Sequence, residues 1–286
     1  MTDQIDDSSA PLVEHLIELR DRIVRCLIAF VLAMIVAYLV WNPIFNFLTH
    51  PVCAALIERG QECKLYLLKL QEGFFVAIRI SVLGGFVLSF PFIATQLWRF
   101  VAPGMYKTEK QAFLPFLIAS PVMFFFGAAL AFYLVIPYAY VFFLGFQQVG
   151  AALPAAVGAE AGAGALNALG NAGVTFQGSV AEYLDLTIKF IMAFGLTFQM
   201  PVLLTLMGRA GLITSQSLVV GRRYAILIIL VLAALVTPPD MMSQLILFAA
   251  VYPLYEVSIL LIRRIEKQRE ARLRADGLWV EPEDGV

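Results

Sequence analysis

Long apolar runs separated by short polar stretches set the pattern of this chain. A helix that crosses the bilayer core needs roughly 20 consecutive, mostly apolar residues. Six runs meet or approach that length: Ile23–Trp41, Phe74–Leu97, Phe113–Val135, Tyr183–Met207, Tyr224–Val236 and Met241–Ile262. Pro91 interrupts the second, and Pro253 and Glu256 lie in the last. At 1.5 Å per residue the fifth reaches about 20 Å, against a core of roughly 30 Å. Only Thr237-Pro238-Pro239-Asp240 joins it to the sixth. The pair is therefore expected to form a tight hairpin of short helices in locally thinned bilayer. Within the link, Thr237 reads as an N-cap, Pro238 as the first helical residue and Asp240 as a capping carboxylate. The pattern predicts an all-α integral membrane protein with six transmembrane helices, the fifth and sixth short.

Composition strengthens this reading. Hydrophobic residues make up 60% of the chain and charged ones 14%, and the mean hydropathy is +0.83. A soluble domain needs a more charged surface. The net charge of −1 gives no general attraction to nucleic acid, and none is expected as a partner. The first ten residues are acidic and polar, and no small-residue cleavage site follows the first apolar run. That run is expected to stay as an anchor.

Lysine and arginine are distributed unevenly. Fifteen flank one set of helix ends: Arg20, Arg22 and Arg25, then Arg99, Lys107 and Lys110, then Arg209, Arg222 and Arg223, and six from Arg263 to Arg274. The opposite set has three, Arg59, Lys64 and Lys69. The positive-inside rule then predicts an N-in/C-in topology, both termini cytoplasmic. Residues 1–22 read as a cytoplasmic N-terminal segment, 23–262 as the membrane domain and 263–286 as a cytoplasmic tail. Outward loops fall at 42–73, 136–182 and 237–240, and inward loops at 98–112 and 208–223. Val149–Gly173 is rich in Ala and Gly and is expected to be a flexible insert in the second outward loop.

Candidate chemistry is sparse. Leu12, Leu16, Leu19 and Ile23 recur at helical spacing, which predicts an amphipathic helix on the inner interface. Glu14, Glu18 and Arg22 lie on its polar side, and spacing alone makes Glu18 an i,i+4 partner of Arg22. Spacing likewise makes Glu109 a surface carboxylate beside Lys107 and Lys110. Trp98, Phe100 and Tyr106 suit an aromatic belt. Arg79 and Lys189 lie one to two turns from outer helix ends and are expected to snorkel. Glu256 is placed either to reach headgroups or to pair with a cation inside the bundle. Gln199 sits deepest, about four turns into the fourth run. Its amide must keep its hydrogen bonds, either to a neighbouring helix or to a partner or substrate in a groove. Cys53 and Cys63 leave a disulfide and two free thiols both open.

Absent motifs narrow the function. No phosphate-binding loop implies ATP hydrolysis, and no nucleophile or zinc motif implies an intramembrane protease or other membrane enzyme. His15 and His50 are isolated, so neither a metal nor another cofactor is expected. The two halves show no hydropathy symmetry, which weighs against an inverted-repeat transporter.

Four motifs in order carry a resemblance: His15-Leu-Ile-Glu-Leu-Arg20, Gln96-Leu-Trp…Phe100…Ala102-Pro103…Tyr106-Lys-Thr-Glu109, Phe194-Gly-Leu-Thr-Phe-Gln-Met-Pro201, and Thr237-Pro-Pro-Asp240. Over Leu12 to Arg264 the chain resembles the TatC family, the multispanning subunits of the bacterial twin-arginine translocase. The resemblance implies a signal-peptide receptor and core subunit that exports folded proteins across the inner membrane, powered by the proton motive force. It implies a concave, glove-like bundle, with Pro91, Pro115, Pro121 and Pro201 as kink candidates. It assigns the paired arginines of precursor proteins to Glu18 and Glu109, with Arg20, Phe100, Pro103 and Tyr106 around them. Gln199 stands where family members often carry glutamate, so a proton relay there is not expected. The resemblance further implies docking of single-span TatA- and TatB-type partners near Leu235, Thr237, Asp240 and Gln244. Self-association in the receptor complex and contact with membrane lipid are implied as well.

Overall fold

The computed structural model describes residues 10–58, 62–101, 114–147, 178–236 and 241–275. Ten α-helices and two very short strands make up these residues. They are α1 (Ala10–Leu39), α2 (Trp41–Ile57), β1 (Leu65–Tyr66), α3 (Glu72–Val101), α4 (Leu114–Leu130), α5 (Ile136–Gln147), β2 (Gly178–Ser179), α6 (Val180–Thr197), α7 (Met200–Arg209), α8 (Ser215–Val220), α9 (Arg222–Val236) and α10 (Met241–Ala275). Five stretches are long and apolar enough to cross a membrane: Leu16–Leu39, Glu72–Phe100, Phe116–Val141, Val180–Arg209 and Gln244–Ala271. The fifth sequence run, α9, has 15 residues and is about 22 Å long, below the bilayer core thickness.

Proline explains the breaks. Pro137 has no N–H to continue the ladder, and the turn before it widens into a π-helical stretch, Ala131–Val135, between α4 and α5. Pro201 likewise leaves the helix at Thr197 without a partner, and α6 ends there before α7 begins at Met200. The chain between them stays helical in its dihedrals, with Gln199 at φ −74° and ψ −15°. The fourth span is therefore a kinked pair of helices rather than one.

Several expectations change. Residues 42–73, read as an outward loop, hold the 17-residue helix α2, whose apolar side is buried through Leu48, Val52, Ala55 and Leu56. The start of 136–182, also read as loop, continues the third span as α5. The sixth helix is not short. α10 runs 35 residues, because the charged stretch after Ile262 carries strong helix formers and no breaker before Gly277. The insert 149–173 and the link 237–240 lie outside the described residues.

Two compact units emerge from the packing. One comprises Met1–Val31, Leu88–Gly127 and Ala193–Val286; the other comprises Leu32–Val87 and Ala128–Met192. In the first, the Phe90 and Phe124 rings stack at 3.9 Å between centroids, and Phe124, Phe194 and Phe198 are almost wholly buried. Gly195 permits this. A Cβ there would lie 2.6 Å from the Phe124 ring, so any side chain would push the ring out of the stack. In the second unit, Gly85 lets α3 approach the α1 backbone, since a Cβ there would lie 2.7 Å from Met34 Cα. Tyr140 and Tyr183 stack at 5.0 Å. Tyr140 O–H lies 3.1 Å from Thr187 Oγ1, and Tyr183 O–H donates to the Leu48 carbonyl.

Candidate functional site

Glu18 and Arg22 lie one turn apart on α1, and the helix brings their side chains together. Arg22 donates through Nε (3.0 Å) and Nη2 (2.5 Å), both to Glu18 Oε1. Its remaining nitrogen, Nη1, points at α3, where it donates to the Gln96 carbonyl (3.3 Å) and to Gln96 Oε1 (3.4 Å). The Arg22 side chain is 17% exposed and that of Glu18 is 38% exposed. The guanidinium is thus held on two helices while the carboxylate keeps a face to solvent. Sequence spacing found the Glu18–Arg22 pair. It did not find Gln96, whose only signal was its place at the head of the Gln-Leu-Trp run.

Arg20 lies apart from this cluster. It pairs with its neighbour Asp21 at 2.9 Å, and both side chains are largely exposed. Phe100 is half-buried near the end of α3. Trp98, expected in an aromatic belt, is buried at 3% exposure, and its Nε1–H has no hydrogen-bond partner among the described residues. Glu109, Pro103 and Tyr106 lie outside the described residues.

Gln199 is buried where α6 gives way to α7. Its Nε2 donates to the Ser120 carbonyl (2.8 Å), and its Oε1 accepts from Ser120 O–H (2.7 Å). A single α4 residue answers both ends of the amide. Sequence reasoning named Gln199 but not Ser120, which sits just before the helix proline Pro121.

Of the docking candidates, Leu235 is 77% exposed near the end of α9. Gln244 Nε2 donates to the Leu230 carbonyl at 3.2 Å, which ties the start of α10 to α9. Thr237 and Asp240 lie outside the described residues. Deeper along the same helices, Arg222 pairs with Glu256 at 2.8 Å, and Glu256 also accepts from Tyr252 O–H at 3.0 Å. Glu256 therefore pairs with a cation of the neighbouring helix, both side chains partly exposed. Farther on, Glu266 accepts from the Ser215 backbone N–H at 2.8 Å and from its hydroxyl, fastening α10 to the first turn of α8.

In the other unit the signal was weaker. Glu72, at the first turn of α3, is buried. It accepts from the backbone N–H groups of Leu68 (2.6 Å), Lys69 (3.0 Å) and Ala181 (3.0 Å) and from Ser179 O–H (3.2 Å). β1 and β2 pair in parallel beside it, Leu65 with Gly178 and Tyr66 with Ser179. Cys53 of α2 and Cys63 are joined in a disulfide, their Cα atoms 5.0 Å apart. Arg79 and Lys189, expected to snorkel, both reach Asp185, at 3.9 and 2.6 Å. Among the described residues, no group of three or more His, Cys, Asp or Glu side chains is placed to hold a metal ion.

Comparison with known proteins shows the family. Residues 14–249 match the family Sec-independent protein translocase protein (TatC). A TatC protein of Magnetococcus marinus is 40% identical over 271 residues, 94% of this chain and 90% of the relative. One of Aquifex aeolicus is 34% identical over 253 residues, 88% of this chain and 94% of the relative. A crystal structure of a twin-arginine translocase receptor, TatC, superposes with a TM-score of 0.71 at 33% identity, covering 88% of this chain and 99% of that one. The family is a protein translocase, a transport protein rather than an enzyme, and a translocase subunit works with protein partners. With its apolar spans, its motifs and these matches taken together, the chain is a multi-pass inner-membrane protein of the TatC family.

Proposed function

We propose that this chain is the signal-peptide receptor and core subunit of a twin-arginine translocase, and that Glu18 and Glu109 receive the paired arginines. The observation that carries the reading is that Glu18 already holds a guanidinium, that of Arg22. A carboxylate that takes a guanidinium from its own helix at a half-exposed position has the chemistry to take one from a peptide. Guanidinium binds carboxylate through directed, charge-assisted hydrogen bonds that an ammonium reproduces only as a point charge. Phe100, Pro103 and Tyr106 would shape the loop that carries Glu109, with Arg20 at the rim.

In this reading both termini are cytoplasmic and six helices span the membrane in a concave wall. Among the described residues, the cations assigned to the inner side fall in the Glu18 unit, and Lys64 and Lys69 fall in the other. Positive-inside bias is what such a division produces. The exposed Leu235, with Thr237, Asp240 and Gln244, would dock TatA- and TatB-type helices beside the short α9. Gln199 would act as a tie between helices, since Ser120 engages both ends of its amide.

The test is site-specific photocrosslinking from position 109 to precursors with Arg-Arg or Lys-Lys signals. Arg-Arg precursors should crosslink and Lys-Lys precursors should not. The double variant Glu18→Ala, Glu109→Ala should abolish the crosslink while the protein still accumulates in the membrane. Undiminished crosslinking in the double variant would sink the reading.

A further inference from the structure

The geometry at Glu18 raises a question of competition. An incoming arginine does not meet a hydrated carboxylate. It meets one that already accepts two N–H bonds from Arg22. Arg22 is also less exposed than Glu18 and has a second anchor on Gln96. That anchor gives Arg22 a place to remain: Nε and Nη2 can swing off Glu18 while Nη1 stays on the Gln96 carbonyl and Oε1.

We propose that Arg22 is a resident competitor that a signal arginine must displace from Glu18, so that it sets the affinity threshold a signal peptide has to clear. This inference rests on the reading of Glu18 as an acceptor of signal arginine. The resident pair, half-exposed and one turn apart on a helix, offsets only part of what a signal arginine gains at Glu18. A lysine gives up the directed pair and gets less in return. The competitor lowers the affinity of both peptides by the same factor, because both must displace the same group. Its effect is a threshold: weak signals fall below the working range and strong ones stay above it.

The experiment measures binding of a fluorescent twin-arginine signal peptide, and of its Lys-Lys counterpart, to the full chain in lipid nanodiscs. Arg22→Gln should tighten both peptides by a similar factor, about two- to fivefold, as expected when a half-exposed ion pair no longer has to be broken. Arg22→Lys should tighten both by less. Because Lys keeps the positive charge, that gain cannot come from reduced repulsion of a cationic peptide. Arg25→Gln, an exposed change of the same charge on the same helix, should leave both affinities close to wild type. In a Glu18→Gln background, Arg22→Gln should have no further effect.

Weaker or unchanged binding in Arg22→Gln and Arg22→Lys would overturn the proposal, as would equal tightening by Arg25→Gln. If Glu18→Gln alone leaves twin-arginine binding intact, the underlying reading of Glu18 fails. If Glu18→Gln removes binding and the Arg22 variants do not tighten it, only the competitor is lost. Should Arg22→Gln not give monodisperse protein, Arg22→Lys and Gln96→Ala carry the test. Gln96→Ala removes the side-chain acceptor that keeps Arg22 once it leaves Glu18, so it should weaken both peptides, and unchanged affinity in either variant, or tightening in Gln96→Ala, counts against the proposal.

Discussion

Glu72 and Glu18 are both carboxylates on long apolar helices, each in its own compact unit, and they are held in opposite ways. Glu72 is buried and accepts from three backbone N–H groups and one hydroxyl, with no cation among these donors. Glu18 is half-exposed, and it accepts from a side-chain guanidinium, that of Arg22. Backbone donors at Leu68, Lys69 and Ala181 are fixed by the fold, and no peptide can supply them in exchange. A side-chain guanidinium can be replaced by another of the same chemistry. The first arrangement builds a structure and the second leaves a site open to exchange.

The largest effect on stability is expected at Glu72. Glu72→Ala takes the shared acceptor away from three backbone N–H groups and one hydroxyl at once, and each lost bond costs stability. The β1–β2 pairing and the start of α6 would loosen together. Purified protein should lose monodispersity on heating at a temperature lower on the order of 5 °C or more. Glu72→Gln should recover little, because its amide nitrogen would face N–H donors. A melting temperature unchanged in Glu72→Ala would break the contrast at its structural end.

Next in size is the bridge between Cys53 and Cys63, in the same unit as Glu72. It closes a short loop, and the entropy withheld from the unfolded chain amounts to about 2–3 kcal/mol. Cys53→Ser with Cys63→Ser should lower thermal stability, while signal-peptide affinity per folded molecule stays the same. Alkylation before and after reduction, read by mass, checks that the two thiols are joined in the wild-type chain. If signal binding fell along with stability, the two units would not be separable in function.

Gln199 tests the Glu18 unit from within. Gln199→Leu keeps the apolar volume and removes both bonds to Ser120, at a cost of about 1–2 kcal/mol in a membrane helix. Ser120→Ala should cost less, because the Ser120 carbonyl still accepts from the Gln199 amide. A double-mutant cycle on thermal stability should show that the pair is coupled. Additive effects would mean that Gln199 faces something other than Ser120 in the membrane.

How far each feature was legible follows from the kind of contact that makes it. Apolar run length located the spans, and positions four apart on one helix located the Glu18–Arg22 pair, because both are local properties. Helix α2 was missed since Asn42, Pro43, Asn46, His50 and Pro51 punctuate its apolar pattern, and its stability comes from packing in its own unit. The length of α10 was missed because the apolar pattern ends at Ile262 although the helix does not. Ser120, Gln96 and Asp185 were missed for another reason. Each finds its partner on a different helix, Gln199, Arg22 and Arg79 in turn, and spacing in one segment carries no record of a partner in another. The fastening of Glu72 joins residues more than a hundred positions apart and left only a carboxylate at a helix start as a trace.

The smallest effect on stability, and the sharpest test of the contrast, is expected at Glu18. Half-exposed ion pairs one turn apart on a helix contribute about 0–1 kcal/mol. Glu18→Ala should therefore melt within a degree or two of the wild type, far above Glu72→Ala. Arg22 does not become an orphan in this variant, because Gln96 still accepts from it. Twin-arginine peptide affinity should nevertheless fall by about ten- to a hundredfold, the loss expected when one charge-assisted pair cannot form. The same variant measured by both methods places stability and binding on separate axes. A large loss of stability with little loss of affinity would move Glu18 to the side of Glu72, as a carboxylate whose work is to hold α1 against α3.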